Sequence, residues 1–420
     1  MPEDQWDRKE LEGFLKDMGY GWLSKLPKAD QEAWLDAHTA TVKAPSSHLV
    51  VGFIEWKVGR RGQALARAAH ILSAAPDSLA AGYAMMGVLT VHYHKGDLKA
   101  GTGALRSFIN VAPNNPMVAW GLRCYVWTVC RKDQPQLAYG LIDDVLKTKP
   151  GTRVAQAATE MRNVLEAIGR RDYVSAFGAL ETIETSYWYE MVLNDLVLTF
   201  VVPAKKAEHR RQLIEAMTQI AATYPHIAAR PLAQCILATT YRVNGQSTEA
   251  AQVFEQAFKE TQEHSEPLIR AAFEGYLLSQ LGVVYAKTDP ERAIPYLERF
   301  CKRYGKNAGA EFYHITLGRA YLQTGKPDKA HEVFSWLEDR RKSGETVASD
   351  ELKGAIQSGL VASLDKLGRQ TEAQSLAEDL LRPHGYGQPA SSLSAAQRHK
   401  LALLLDMMDR QEESQRYKAE

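Results

Sequence analysis

Cysteine is scarce in this chain of 420 residues: Cys124, Cys130, Cys235 and Cys301 are the four, with no C-x-x-C pair and no ladder of spacings. That scarcity argues against a zinc module or a disulfide framework and leaves the thiols as small buried hydrophobes. A charge of one sign is also missing. With 51 Lys and Arg against 50 Asp and Glu the formal net charge is +1, so no bulk field recommends nucleic acid as a partner. Long apolar runs are absent as well. The most apolar stretch, 191–202, is too short to span a bilayer and carries Asn194 and Asp195, so no membrane insertion is expected. The opening MPEDQWDRKELEGF is charged and has no apolar core ahead of a cleavage site, which makes a cytoplasmic location the expectation.

Nothing has the form of a nucleophile elbow, a phosphate loop or a metal-binding helix, so no enzyme, cofactor or metal is expected. His92 and His94 are two apart and point to different faces of a helix. Asp143-Asp144 and Glu181-x-x-Glu184 fall on second helices as solvated carboxylate pairs. The runs at 208–211 and 339–342 read as charged surface.

What the chain does have is a period. A small residue recurs at Ala64, Gly101, Ala138, Ala176, Ala250, Ala293, Ala330 and Ala373, with Leu213 in the same place between Ala176 and Ala250. Five of the intervals, such as Ala64 to Gly101 and Ala293 to Ala330, are 37 residues, and Pro76, Pro113 and Pro150 repeat at that same interval. The unit is clearest in 311–337. There Leu317, Gly318 and Tyr321 fall at helical spacing, then Ala330, Phe334 and Leu337 do the same. Between them Gly325 is suited to end one helix in a left-handed conformation and Pro327 to start the next.

This pattern resembles the tetratricopeptide repeat, a helix-turn-helix unit whose signature runs W-x2-L-G-x2-Y, then A-x3-F, then P. The Trp and the final Pro are missing here. Leu237-Ala238-x-x-Tyr241 with Ala250-x-x-x-Phe254, and Leu281-Gly282-x-x-Tyr285 with Ala293, repeat the signals. The resemblance implies an all-α fold, a right-handed superhelical α-solenoid of about ten such units. Each unit is too small to bury its own apolar faces and must stack on its neighbours.

The expected organisation is a helical N-terminal cap over 1–45, repeat units over 46–186 and 187–381, and a loop with a capping helix pair over 382–420. The cap carries nine acidic residues against six basic ones, the wrong sign for a phosphate-contacting surface. The turns read as Val58–Gly62, His94–Asp97, Arg131–Pro135 and Gly169–Asp172. A strongly apolar helix from Ser186 to Val202 precedes a helix over 204–224 that should exceed its equivalents. The helix from Pro267 should be extended.

Repeat stacks bind partners on one stripe of each first helix. In the register set by Gly96 and Pro113 the N-terminal stripes present Phe53 and Trp56, then Tyr83 and Tyr93, then Trp120, Arg123 and Trp127 with Arg131 at the end. These eight are the candidate partner-binding residues, being of the types that dominate interface energies. Over 46–171 there are 16 Lys and Arg against 8 Asp and Glu, so an acidic segment with apolar anchors fits. The same aromatics also suit packing between helices. The C-terminal stripes read Cys235, Thr239 and Arg242, then Phe312, Ile315, Arg319 and Leu322. The Lys and Asn positions with which chaperone-binding repeats clamp a C-terminal carboxylate are not reproduced.

The functional expectation is therefore a non-enzymatic scaffold or adaptor that binds a peptide or helical segment of a partner protein in its concave groove. The alternatives are a ligand- or peptide-responsive regulator and an α/α-toroid enzyme acting on glycans. The last needs facing carboxylates, and Asp195 is one of few on a first-helix stripe.

Overall fold

The structure, a computed structural model, describes residues 28–41, 43–94, 97–181, 189–223, 229–264, 267–305, 310–343 and 350–418. The expected helix from Gln5 to Met18 lies outside the described residues. Among those described, every regular element is helical. The chain divides into two compact units, Met1–Glu274 and Gly275–Glu420.

In the first unit α1 (Lys28–His38) precedes six helix pairs that lie wholly within it. These are α2 (Pro45–Lys57) with α3 (Arg61–Ala74), α4 (Leu79–His94) with α5 (Leu98–Val111), and α6 (Pro116–Arg131) with α7 (Pro135–Thr148). Next come α8 (Arg153–Arg170) with α9 (Tyr173–Glu181), α10 (Tyr189–Val201) with α11 (Ala207–Thr223), and α12 (Ala229–Val243) with α13 (Ser247–Glu263). The second unit carries most of α14 (Pro267–Thr288) with α15 (Pro290–Tyr304), then α16 (Glu311–Gln323) with α17 (Pro327–Lys342). It ends with α18 (Asp350–Lys366), α19 (Gln370–Leu381), α20 (Ala395–Met407) and α21 (Gln411–Lys418). Taken in twos from α2 the helices make ten pairs, the number the period implies. At 22 residues α14 is extended as expected. α11, at 17 residues, is matched by α13, so the excess length read for it is not peculiar to that helix.

The small-residue register explains the pairing. Ala138, Ala176, Ala250, Ala293, Ala330 and Ala373 are all fully buried, as is Leu213. Opposite them the first helices also use small residues. A Cβ built on Gly318 would stand 2.7 Å from the Phe334 ring, and one on Gly282 would stand 2.5 Å from Leu297. Only glycine lets the two backbones approach this closely. Phe334 itself is fully buried and reaches the next pair, where a Cβ on Gly359 would come within 2.3 Å of its ring. One phenyl ring thus packs across two pairs at once, the kind of interlock that makes each unit of an α-solenoid depend on its neighbour.

Polar groups add register between turns. Asn115 caps α6 by accepting from the Met117 amide at 2.9 Å, and its amide nitrogen donates to the Pro76 carbonyl at 2.9 Å. Satisfying a helix N-terminus and a neighbouring turn with one side chain fixes the stagger of successive pairs. The turns follow two chemistries. Gly59, Gly245, Gly325 and Gly368 take positive φ, as read for Gly325, whereas Asp133 (φ 58°), Arg171 (φ 62°) and Asp409 (φ 66°) do so without being glycine. In the fourth pair the left-handed residue is therefore Arg171 and not the expected breaker Gly169, which stays inside α8.

Candidate functional site

First helices pack side by side within each unit, α4 on α6, α6 on α8 and α10 on α12 in the first, α16 on α18 and α18 on α20 in the second. One contact breaks the sequence of neighbours. α10, the first helix of the fifth pair, lies on α6, the first helix of the third. Thr128 donates from Oγ1 to Asp195 at 3.0 Å and Arg131 pairs with the same carboxylate at 2.9 Å. Lys205 beyond α10 pairs with Asp133 in the turn after α6. Phe200 of α10 is fully buried with its ring 5.5 Å from that of Phe177.

That contact changes the reading of the N-terminal stripe. Trp127, expected on a partner surface, is 3% exposed. Arg123 donates to Glu160 of α8 at 2.5 Å, with both side chains largely buried, and Arg131 is held by Asp195. These three expected partner-binding residues are used inside the molecule. α8 takes Arg123 and α10 takes Arg131. Phe53, Tyr83 and Trp120 remain half-buried, with Phe53 against the Val50, Val51 and Ile54 cluster and Tyr83 against the Ile71 and Ala84 cluster. The side chains of Trp56 and Tyr93, like those of His92 and His94, and all of Glu184, lie outside the described residues. The α12 stripe is covered too: residues 231–240 are buried without a break, Cys235 and Thr239 included.

The carboxylates have structural partners. Asp144 accepts from Arg106 of α5 at 2.8 Å, and Asp143 pairs with Arg162 of α8. Asp195, the acid weighed for glycan chemistry, serves Arg131 and Thr128. Burial pushes the thiols of Cys124, Cys130 and Cys301 up to about 12 and raises that of Cys235 as well. A thiol held protonated at neutral pH is a poor nucleophile and a poor metal ligand. No cluster of three or more His, Cys, Asp or Glu suited to a metal occurs among the described residues, and none of the described helices is long and apolar enough to cross a membrane.

Among the described residues, α16 is a first helix with an open face that carries an aromatic. Gly318 marks the side that meets α17. At roughly 100° per residue, Arg319 and Phe312 fall about 100° to 120° round from it, with Leu322 and Ile315 between. Ile315 is buried, but Phe312 is 52% exposed and Arg319 is open to solvent. The Phe312 ring stands edge-on to Tyr313 at 5.3 Å, and Tyr313 packs on Phe300 at 4.4 Å. Phe312 is thus an exposed aromatic whose ring rests against Tyr313. On the paired helix α17, Trp336 is 36% exposed, with His314 of α16 at 4.5 Å and the Arg340 guanidinium 4.8 Å over its ring. The crowding that buries His314 pulls its pKa down to about 4. Phe312, Ile315, Arg319 and Leu322 are the stripe read from the sequence for this unit, though the candidate partner-binding residues were placed on the N-terminal stripes.

A tetratricopeptide-repeat family profile matches residues 312–335, which is α16 and the first half of α17. No curated protein matches the chain. Among solved structures, the nearly identical TPR-like repeats of a Podosopora anserina kinesin light chain align with 47% of this chain and 95% of that one, at 21% identity and a TM-score of 0.36. A human IFIT1 dimer with m7Gppp-AAAA aligns over 93% of each chain at 13% identity and a TM-score of 0.36. The P58(IPK) TPR domain aligns over 87% of this chain and 98% of that one, at 15% identity and a TM-score of 0.22. Likeness at this distance carries no ligand or partner across. The helix pairs, their shared small-residue register and the matched eighth pair make this chain a tetratricopeptide-like helical repeat protein.

Proposed function

We propose that the chain is a non-enzymatic interaction protein that docks a segment of a partner protein on the open first-helix face of α16. The observation that carries this reading is Phe312. A phenyl ring half open to water, resting edge-on against Tyr313, which itself packs on Phe300, costs solvation in the free protein and less ordering entropy than a free ring when a partner covers it. Leu322 continues the apolar line along the same face. In the first unit, Phe53, Tyr83 and Trp120 form a secondary contact area, since Trp127, Arg123 and Arg131 already serve the fold. The mechanism is burial of apolar anchors on a preformed surface, with cations at the edge setting orientation. The proposed location is cytoplasmic.

Comparative affinity capture tests the reading. Proteins that co-purify with the wild type should be depleted with Phe312→Ala combined with Leu322→Ala and retained with Val174→Ala, a change at an exposed site on α9. Equal recovery from all three baits would contradict it.

A further inference from the structure

Arg319 is the odd residue of the α16 face. It is open to solvent, yet enough protein surrounds it that desolvation pulls its guanidinium below its ordinary value. Arg319 makes no hydrogen bond or ion pair with any described residue, and no nearby carboxylate offsets the desolvation. Asp365 at the far end of α18 receives Arg410 at 3.4 Å and Asp406 of α20 receives Lys418 at 2.7 Å. A desolvated guanidinium with five unused donors is costly unless something anionic completes it.

The second observation is the spacing. Phe312 and Arg319 are seven residues apart, two helical turns, so they lie on one line about 10 Å apart. An extended chain covers that distance in roughly three residues. Resting on the docking role given above, we infer that this face recognises an extended protein segment in which a large apolar side chain and a side-chain carboxylate are three residues apart, the first packing on Phe312 and the second pairing with Arg319. Charge complementarity selects this occupant. A second copy of the same face would bring Arg319 against Arg319, and a basic segment would be repelled. The carboxylate meets the planar fork of the guanidinium through two N–H donors, which a lysine in its place does not reproduce.

The experiment is a selection of random linear peptides on the intact chain, followed by affinity measurement on synthesised hits. Wild type should enrich peptides with an aromatic or large aliphatic residue and Asp or Glu three positions away. Arg319→Glu should weaken those hits about ten-fold or more and shift the enrichment to Lys or Arg at the same spacing. Amidating the peptide C-terminus should change nothing, because the carboxylate is a side chain's. Hits that need Phe312 but contain no acid and ignore Arg319→Glu would overturn this inference and leave the docking role standing. No hits that depend on either residue would overturn both. Tighter binding of an A-rich RNA oligonucleotide than of any acidic peptide, lost with Arg319→Glu, would overturn the assignment to protein. Both side chains are solvent-exposed, so unchanged thermal unfolding of the variants is the required control.

Discussion

Arg131 in the last turn of α6 and Asp195 in the middle of α10 form an ion pair at 2.9 Å, and Thr128 donates to the same carboxylate at 3.0 Å. A partly buried carboxylate that has lost water and gained two donors is sensitive to removal of either partner. Asp195→Ala should destabilise the protein by about 1–3 kcal/mol. A double-mutant cycle with Arg131→Ala should show coupling at neutral pH, and additive losses in denaturant melts would refute the pairing.

Trp127, on the same helix as Arg131, is 3% exposed. Its truncation leaves a cavity as well as lost apolar burial, so Trp127→Ala should cost about 3–5 kcal/mol. Calorimetry or a denaturant melt measures it. A loss of partner binding with unchanged stability would mean that the ring faces a ligand after all.

Arg171 holds a left-handed conformation at φ 62°, where a side chain carries strain and glycine does not. Arg171→Gly should stabilise the protein by about 1 kcal/mol, against the usual direction for glycine substitutions. The reverse change at Gly325 (φ 70°), Gly325→Val, should destabilise it by a similar or larger amount. Equilibrium unfolding of the two variants checks both signs.

The helix pairs were legible because their cause is local. Gly318, Tyr321, Ala330 and Phe334 sit within one period, and helical spacing brings each to its partner whatever the rest of the chain does. The contact between α10 and α6 joins residues 67 apart in sequence. Nothing in the period announces that the fifth pair's first helix lies on the third pair's. The aromatics of α6 read identically as binding surface or as packing, because burial by a partner and burial by a distant helix demand the same side chains. Ser414 was missed as the tenth pair's small residue. It is fully buried with its hydroxyl donating to the Ala402 carbonyl at 3.1 Å, and its place 41 residues after Ala373 was the available signal.

His314 gives the fold a pH dependence. Burial, together with the Arg340 charge, disfavours its protonated form and lowers its pKa to about 4 from 6.5. The unfolded chain therefore takes up a proton before the folded one does. Stability from this group is intact above about pH 6.5 and is lost progressively as pH falls towards 4. The loss should be on the order of 1–2 kcal/mol by pH 5. His314→Gln should flatten that part of the profile, and an unchanged slope in the variant would remove His314 as its source.

Site-specific photo-crosslinking reads directly where the molecule meets its partner. A photoreactive phenylalanine at position 312 should give intermolecular adducts with protein, while one at position 174 on α9 should give none above background. Adducts at 174 equal to those at 312, or adducts at 312 with nucleic acid alone, would contradict protein docking on α16.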